Sequence, residues 1–235
     1  MNLTRQLIKI SILSTLLISC SNNKVIDLKE RLHNAYLDVI EATEEDIRPL
    51  VSLTKNEEKL YWNEDNKVLL FTFHRFPSSY LDGEEVTFTW GESWLCSVKE
   101  YENWYLSNKS NIKDVLLRTK QVLGMSDESK NTYITSMWID PSVVYRPAYI
   151  TDPTKQMSLT FDENETQAYK DWFASQYYYS YDVSHLPWTR LGYTYDWSKE
   201  AKDRYGLTEF IAWKGTTVTV HKTMLVTDFL TSINK

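Results

Sequence analysis

The sequence predicts an α+β fold in which a mainly antiparallel sheet packs against several helices. Segments with strand periodicity and segments with helix periodicity follow one another in irregular order, unlike the regular alternation of a doubly wound fold. The 235 residues contain no repeat of 20 to 50 residues and no low-complexity linker. A chain of this length can bury a substantial core, so we expect one globular domain over residues 25–235.

The first half of that domain begins with a helix. Apolar residues recur at helical spacing from Val25 to Ile40, which predicts one long amphipathic helix over about 25–43. The stretches EKLYW and KVLLFTFHRF are separated by the polar NEDN, which predicts a hairpin. EEVTFTWG alternates apolar and polar residues and reads as a further strand.

The second half alternates between the two periodicities. SWLCSVKEYENWYLS fits a strand or a helix, NIKDVLLRTKQVLGM predicts a helix, and NTYITSMWID predicts a strand. After a proline-rich connection, DENETQAYKDWFASQYYY predicts a helix and LPWTRLGYTYDW a strand. LTEFIAWKGTTVTVHK predicts a hairpin that turns at Lys214 and Gly215.

The N-terminus, MNLTRQLIKISILSTLLISC, has the pattern of a secretory signal. Arg5 and Lys9 provide a basic start, and the apolar run that follows is too short to span a bilayer. The run ends in Leu-Ile-Ser-Cys over residues 17–20, which resembles the bacterial lipobox. Two alternatives are a buried N-terminal helix with a chance cysteine, and an ordinary secretory signal with Cys20 in a disulfide.

The resemblance to bacterial lipoproteins implies how this segment is processed. Residues 1–19 would be removed as a signal peptide, and the Cys20 thiol would receive a diacylglyceryl group, with the new amine acylated by a fatty acid such as palmitate. Residues 20–24 would form a short lipidated tether. Two or three acyl chains hold a protein on a membrane where one does not. Ser21 after the cysteine resembles lipoproteins that are sent to the outer membrane, so the resemblance implies the cell envelope.

The charge of the chain bears on its partners. The net charge is −6, and removal of Arg5 and Lys9 with the signal would make it −8. An acidic chain without a basic cluster argues against nucleic acid. Cys96 lies among Trp94 and Leu95, where a thiol is typical of a core, and a lipidated Cys20 would leave it without a disulfide partner.

Motifs for familiar enzyme chemistry are absent from the sequence. It has no HExxH, paired CxxC, Walker loop, GxGxxG or GxSxG. The four histidines are scattered, and glycine is scarce. We therefore expect no metal and no cofactor, and a binding protein rather than an enzyme.

The stretch SHLPWTRLGYTYDW contains the first candidate site. As a strand, it would place Tyr193 on one face, and Arg190 and Asp196 on the other around Gly192, with Trp188 just before. Aromatic rings stack on sugars, and an Arg–Asp pair bonds hydroxyl or anionic groups, so the pattern predicts a saccharide or carboxylate site. The alternative is that the rings are core and the charged pair is a cross-strand contact.

His74 and Arg146 are further candidates for a ligand site. His74 ends an apolar strand, and the loop beyond it contains Ser78, Ser79 and Asp82, so a Ser–His–acid arrangement can be drawn. Arg146, between aromatic and proline neighbours, is either an anion contact or part of a structural salt bridge.

The sequence therefore predicts a membrane-anchored envelope lipoprotein whose domain binds a saccharide or a protein partner without catalysis. One alternative is an envelope hydrolase acting on glycan or peptide through His74 or His185. Another is a structural or assembly lipoprotein.

Overall fold

The structure confirms the α+β class with an antiparallel sheet. It is a computed structural model that describes residues 26–233. The signal segment 1–19, Cys20 and the tether 20–24 lie outside the described residues.

Five α-helices and eight strands form the described part of the chain. The helices are α1 (residues 26–38), α2 (Val98–Asn108), α3 (Val115–Val122), α4 (Gln167–Tyr178) and α5 (Val226–Ser232). A π-helical turn, Tyr179–Val183, continues α4. The strands are β1 (Val68–His74), β2 (Glu85–Thr87), β3 (Ser93–Ser97), β4 (Tyr133–Ile139), β5 (Val144–Tyr145), β6 (Tyr193–Tyr195), β7 (Tyr205–Ala212) and β8 (Thr217–Leu225).

The strands form one sheet in the order β2-β8-β4-β1-β3-β7-β5, and β6 pairs with β7 beside this path. Every pairing is antiparallel. The ambiguous stretch after residue 92 is both a strand and a helix, since β3 runs directly into α2. The Ser97 hydroxyl accepts a hydrogen bond from Glu100 N at 3.2 Å and so caps the helix.

The hairpin predicted about Lys214 and Gly215 is wrong in its pairing. The turn is present, with Thr216 N donating to Trp213 O at 3.0 Å and Gly215 at φ 93°. However, three strands lie between β7 and β8 in the sheet. A flat sheet would hold the two strands about 19 Å apart, which a tight turn cannot span. The sheet therefore curls until the end of β7 approaches the start of β8.

Both faces of the curled sheet are covered. Alternate residues of the strands give one face an apolar cluster that includes Leu70, Leu95, Met137, Phe210 and Val220. The intervening residues, such as Phe71, Cys96, Ile134 and Leu207, face the other way and pack with α2, α3 and α5. The strands are thus apolar on both sides, as expected for a sheet between two layers.

The first helix ends at residue 38, earlier than the predicted end at about residue 43. Its end is fixed by a distant cation. The Arg190 guanidinium donates to Val39 O at 2.6 Å and to Ile40 O at 3.0 Å. A cation at the carboxyl end of a helix satisfies carbonyls that have no partner within the helix, so the chain turns here.

Arg146 organises the proline-rich connection after β5. Its side chain is 1% exposed, and its guanidinium donates to four backbone carbonyls: Asp152 O (3.2 Å), Lys155 O (2.5 Å), Val51 O (3.2 Å) and Pro153 O (2.8 Å). Burial lowers its pKa to about 10, so it remains charged at neutral pH. Arg146 therefore has a structural role, but the salt bridge expected for it is not formed, because its partners are backbone carbonyls and not a carboxylate.

We predict that Arg146→Ala lowers the free energy of unfolding by about 3 kcal/mol, because four buried carbonyls lose a charged donor. Arg75→Ala is the control, since Arg75 is exposed and stacks only on Phe76. Chemical denaturation followed by circular dichroism measures both. Equal stability of the two variants would contradict the structural role of Arg146.

Candidate ligand cavity

The candidate site begins where β1 and β3 part. Their ladder joins only two residue pairs, Leu70 with Ser97 and Phe71 with Cys96. Beyond Phe71 the two strands are not paired, although each keeps its other neighbour. β1 pairs with β4 along its whole length, and β3 with β7 from residue 93 to residue 96. The sheet therefore opens between the two strands.

A cavity of about 660 Å³ occupies this opening. Residues 71–74 of β1 and residues 93–96 of β3 line its two sides, and residues 123–125 after α3, residues 186–188 and residues 193–195 line its walls. The π-helical turn contributes Tyr179 and Ser180. A volume of 300 to 1,000 Å³ is typical of sites for small ligands, and π-helical turns occur frequently at functional sites.

A cross-strand row forms one side of the cavity. Phe71 lies opposite Cys96, and Cys96 lies opposite Glu209 in β7, so the three side chains share one face of the sheet. All three line the cavity. Glu209 Oε2 is buried and has no hydrogen-bond partner. Burial raises the pKa of Glu209 to about 8, so this carboxyl is mostly protonated at neutral pH.

The Cys96 thiol is not an activated nucleophile. It is 5% exposed, and burial together with the neighbouring Glu209 and Glu100 raises its pKa well above the usual value. A catalytic thiol needs a basic or electropositive neighbour that lowers the pKa. Cys96 is free and buried, as the sequence predicts for a core cysteine.

His74 lines the cavity, but both of its ring nitrogens are occupied. Nδ1 accepts from Phe76 N at 3.1 Å, so the ring proton is on Nε2, which donates to Thr135 Oγ1 at 2.7 Å. Burial lowers the pKa of His74 to about 4, which keeps the ring neutral. Asp82 contacts Lys222 and Thr223 instead, so the Ser–His–acid arrangement drawn from the sequence is not assembled.

Two of the four residues singled out in the stretch 188–196 reach the cavity. Trp188 and Tyr193 line it, at 7% and 5% exposure. Arg190 and Asp196 are buried but point elsewhere and do not pair with each other. Arg190 holds the end of α1, and Asp196 binds Arg118 of α3 through two hydrogen bonds of 2.8 and 2.6 Å.

The strand predicted over this stretch is also interrupted. Only Tyr193–Tyr195 is regular, because Arg190 at φ 63° and Gly192 at φ 79° bend the backbone. A glycine in a strand can leave room for a ligand or for another backbone, but Gly192 leaves no such room. The space is filled by the protein itself, since a Cβ there would lie 2.9 Å from Leu50 Cδ1 and 3.3 Å from Arg146 Cδ.

Glu209 was missed by the sequence analysis, although the sequence contains a signal for it. In β7, Leu207, Glu209 and Ile211 share one face, while Thr208, Phe210 and Ala212 share the other. A carboxyl group in the middle of a strand that is apolar on both sides must be buried or face a cavity. Ionisable groups in such places are candidates for function.

In the described part of the chain, no group of three or more His, Cys, Asp or Glu side chains is placed to hold a metal ion. Of the helices between residues 26 and 233, none has the length and apolarity needed to cross a bilayer. Comparison with known proteins finds no matching family model, no matching curated protein and no matching solved structure.

The raised pKa of Glu209 makes stability depend on pH. Between the unfolded value of 4.5 and the folded value of about 8, the folded chain binds more protons than the unfolded chain. Its free energy of unfolding therefore falls as pH rises through this range, by at most about 1.4 kcal/mol per pH unit for one group. Glu100, with a pKa raised to about 7 by burial, adds to the lower part of the fall.

We predict that Glu209→Gln removes most of the fall between pH 7 and 8, because the amide mimics the protonated acid and does not ionise. Urea denaturation at pH 5, 6, 7 and 8 measures the slope. Glu85→Gln, at an exposed position in β2, is the matched control and should keep the wild-type slope. The same slope in wild type and Glu209→Gln would refute this assignment.

Proposed function

We propose that the chain is a lipid-anchored protein of the bacterial cell envelope whose folded domain binds a small ligand without catalysis. The observation that carries the binding proposal is the cavity of about 660 Å³ between β1 and β3. Most of its lining is apolar or aromatic, with a few polar groups, which is the usual composition of a ligand site.

The side chains in the cavity favour binding over hydrolysis. A hydrolase of the predicted kind needs a base that is free to accept a proton from a nucleophile or a water molecule. His74 has no free nitrogen, and Cys96 is held as a thiol. His185, the other histidine considered, is exposed and contacts the Tyr36 ring at 5.1 Å between centroids, outside the cavity lining.

The mouth of the cavity supports a saccharide as a second candidate ligand. Trp90 is 53% exposed at the mouth, and Glu92 and Gln176 lie in the same lining. A flat ring with adjacent carboxyl and amide groups suits the apolar face and the hydroxyls of a sugar. A protein partner, the other class that the sequence predicts, would have to meet this same aromatic mouth.

We predict that residues 21–235, produced with an ordinary secretory signal, bind the uncharged fluorescent probe N-phenyl-1-naphthylamine at one saturable site. Ser79 lines the cavity and is exposed, so Ser79→Trp should weaken binding by about tenfold, because an indole at this position occupies the entrance. Fluorescence titration measures the affinity, and displacement by oligosaccharides tests the second candidate.

Ser78→Trp is the matched control, since Ser78 is the exposed neighbour that does not line the cavity. It should bind the probe as wild type does. Absence of saturable binding in the wild type, or equal affinity in the two variants, would count against a ligand in this cavity.

We predict that the anchor depends on Cys20. Cells grown with an alkyne fatty acid should label the wild-type chain but not Cys20→Ser, because the thiol is the attachment point that the lipobox resemblance implies. The labelled protein should remain with membranes after a high-salt wash, and Cys96→Ser, which changes the other cysteine, should label as wild type. An unlabelled wild type that washes off membranes would remove the envelope assignment.

A further inference from the structure

The charged groups that line the cavity are of one sign. Its lining contains two carboxyl groups, Glu92 and Glu209, and no lysine or arginine. The one histidine, His74, is neutral because its Nδ1 accepts a hydrogen bond. A ligand with an anionic group would meet no cation here and would be repelled by Glu92.

Ten of the residues that line the cavity have aromatic rings. Six of them are Phe73, Tyr80, Trp90, Trp94, Tyr179 and Trp188. Trp94 and Trp188 meet edge to face, with ring centroids 6.2 Å apart, and Trp90 meets Tyr80 in the same way at 5.8 Å. The face of an aromatic ring is electronegative and attracts a cation, most strongly when water is excluded. Rings and carboxyl groups therefore favour the same charge.

Glu209 Oε2 has no hydrogen-bond partner in the protein, and a ligand could supply one. This oxygen is buried, and the neighbours of Glu209 in the cross-strand row, Phe71 and Cys96, cannot neutralise a carboxylate. A buried polar atom without a partner destabilises the fold unless something compensates for it. A positively charged group beside Glu209 would allow the carboxyl to ionise and would pair with it in surroundings of low polarity.

We infer that the cavity binds an organic cation, namely a molecule with an apolar or aromatic body and an ammonium group that lies beside Glu209. The inference rests on the proposed function and specifies its ligand. The body of the molecule contacts the aromatic wall, and Glu92 adds a second carboxyl group to the lining. The volume of about 660 Å³ fits a ligand of drug-like size.

The affinities of an uncharged ligand and of a cation should depend on pH in opposite ways. An uncharged ligand would accept a hydrogen bond from the protonated Glu209, so its affinity would fall as Glu209 ionises. A quaternary ammonium ligand keeps its charge at every pH, and its affinity should rise as Glu209 ionises around pH 8. The sign of the pH dependence therefore separates the two ligand classes in the wild-type protein alone.

The test uses the full-length lipidated chain in phosphatidylcholine nanodiscs, with empty nanodiscs as the blank. Isothermal titration calorimetry measures binding of (3-phenylpropyl)trimethylammonium and of uncharged 3-phenylpropanol from pH 6 to pH 9. The cation should bind about 30-fold more tightly than the alcohol at pH 9. Its affinity should rise by about tenfold in total from pH 6 to pH 8, because the ionised fraction of Glu209 grows over this range.

Glu209→Gln should bring the affinity of the cation to within about threefold of that of the alcohol and abolish the pH dependence. Glu85→Gln should leave both unchanged. If Glu209→Gln does not fold, the pH dependence of the wild type still decides. A cation that binds no tighter than the alcohol, or whose affinity does not rise with pH, overturns the inference. Binding of the alcohol alone would leave the cavity as a ligand site, whereas binding of neither compound contradicts the proposed function as well.

Discussion

The parting of β1 and β3 after two paired residues is the constraint on which the cavity depends. Because of it, the backbone N–H and C=O groups of Phe73 and Trp94 do not hydrogen-bond to each other across the two strands. Backbone polar groups without a hydrogen bond are unfavourable inside a protein. Part of this loss is offset locally, since Asn131 Nδ2 donates to Phe73 O at 2.8 Å. The rest of the opening is maintained by the outer neighbours, because β4 pairs with β1 along its whole length and β7 pairs with β3 from residue 93 to residue 96. The sheet can therefore contain an opening near its centre without losing its continuity.

Buried cations fix the irregular segments that surround this opening. Arg190 joins the end of α1 to the cavity wall, Arg118 joins α3 to Asp196, and Arg146 gathers the carbonyls of the proline-rich connection. A charge in an apolar interior must be paired or hydrogen-bonded, so each guanidinium restricts its segment to one arrangement. This explains why only some of the residues that the sequence predicts as ligand contacts line the cavity. Arg146, Arg190 and Asp196 have structural roles, whereas Trp188 and Tyr193 reach the cavity.

The sequence predicts local features of this fold well and long-range pairings poorly. Alternation located β4 and β8, and helical spacing located α3 and α4, because both patterns depend on neighbours in the chain. The separation of β7 from β8 in the sheet does not depend on neighbours in the chain. The sequence of the turn at Lys214 and Gly215 would be the same if the two strands paired. The cavity is likewise a product of non-local geometry. It exists because β1 pairs with β4 and β3 pairs with β7 where they do not pair with each other. The alternation of residues within a strand does not predict which strand pairs with it. Glu209 is the exception, as a carboxyl group in a strand that is apolar on both sides indicates its unusual setting from sequence alone.

The charge of the chain and its proposed compartment favour the same class of ligand. The chain is acidic overall, so its field attracts cations from solution, and the cavity concentrates that preference with two carboxyl groups and aromatic faces. The proposed lipid anchor would hold the domain at a membrane surface. Amphiphilic cations accumulate at membranes that contain acidic lipids. A lipid-anchored domain with an acidic aromatic cavity would therefore meet such molecules at the concentration of the membrane surface. Glu209, mostly protonated at neutral pH while the cavity is empty, would ionise when a cation pairs with it.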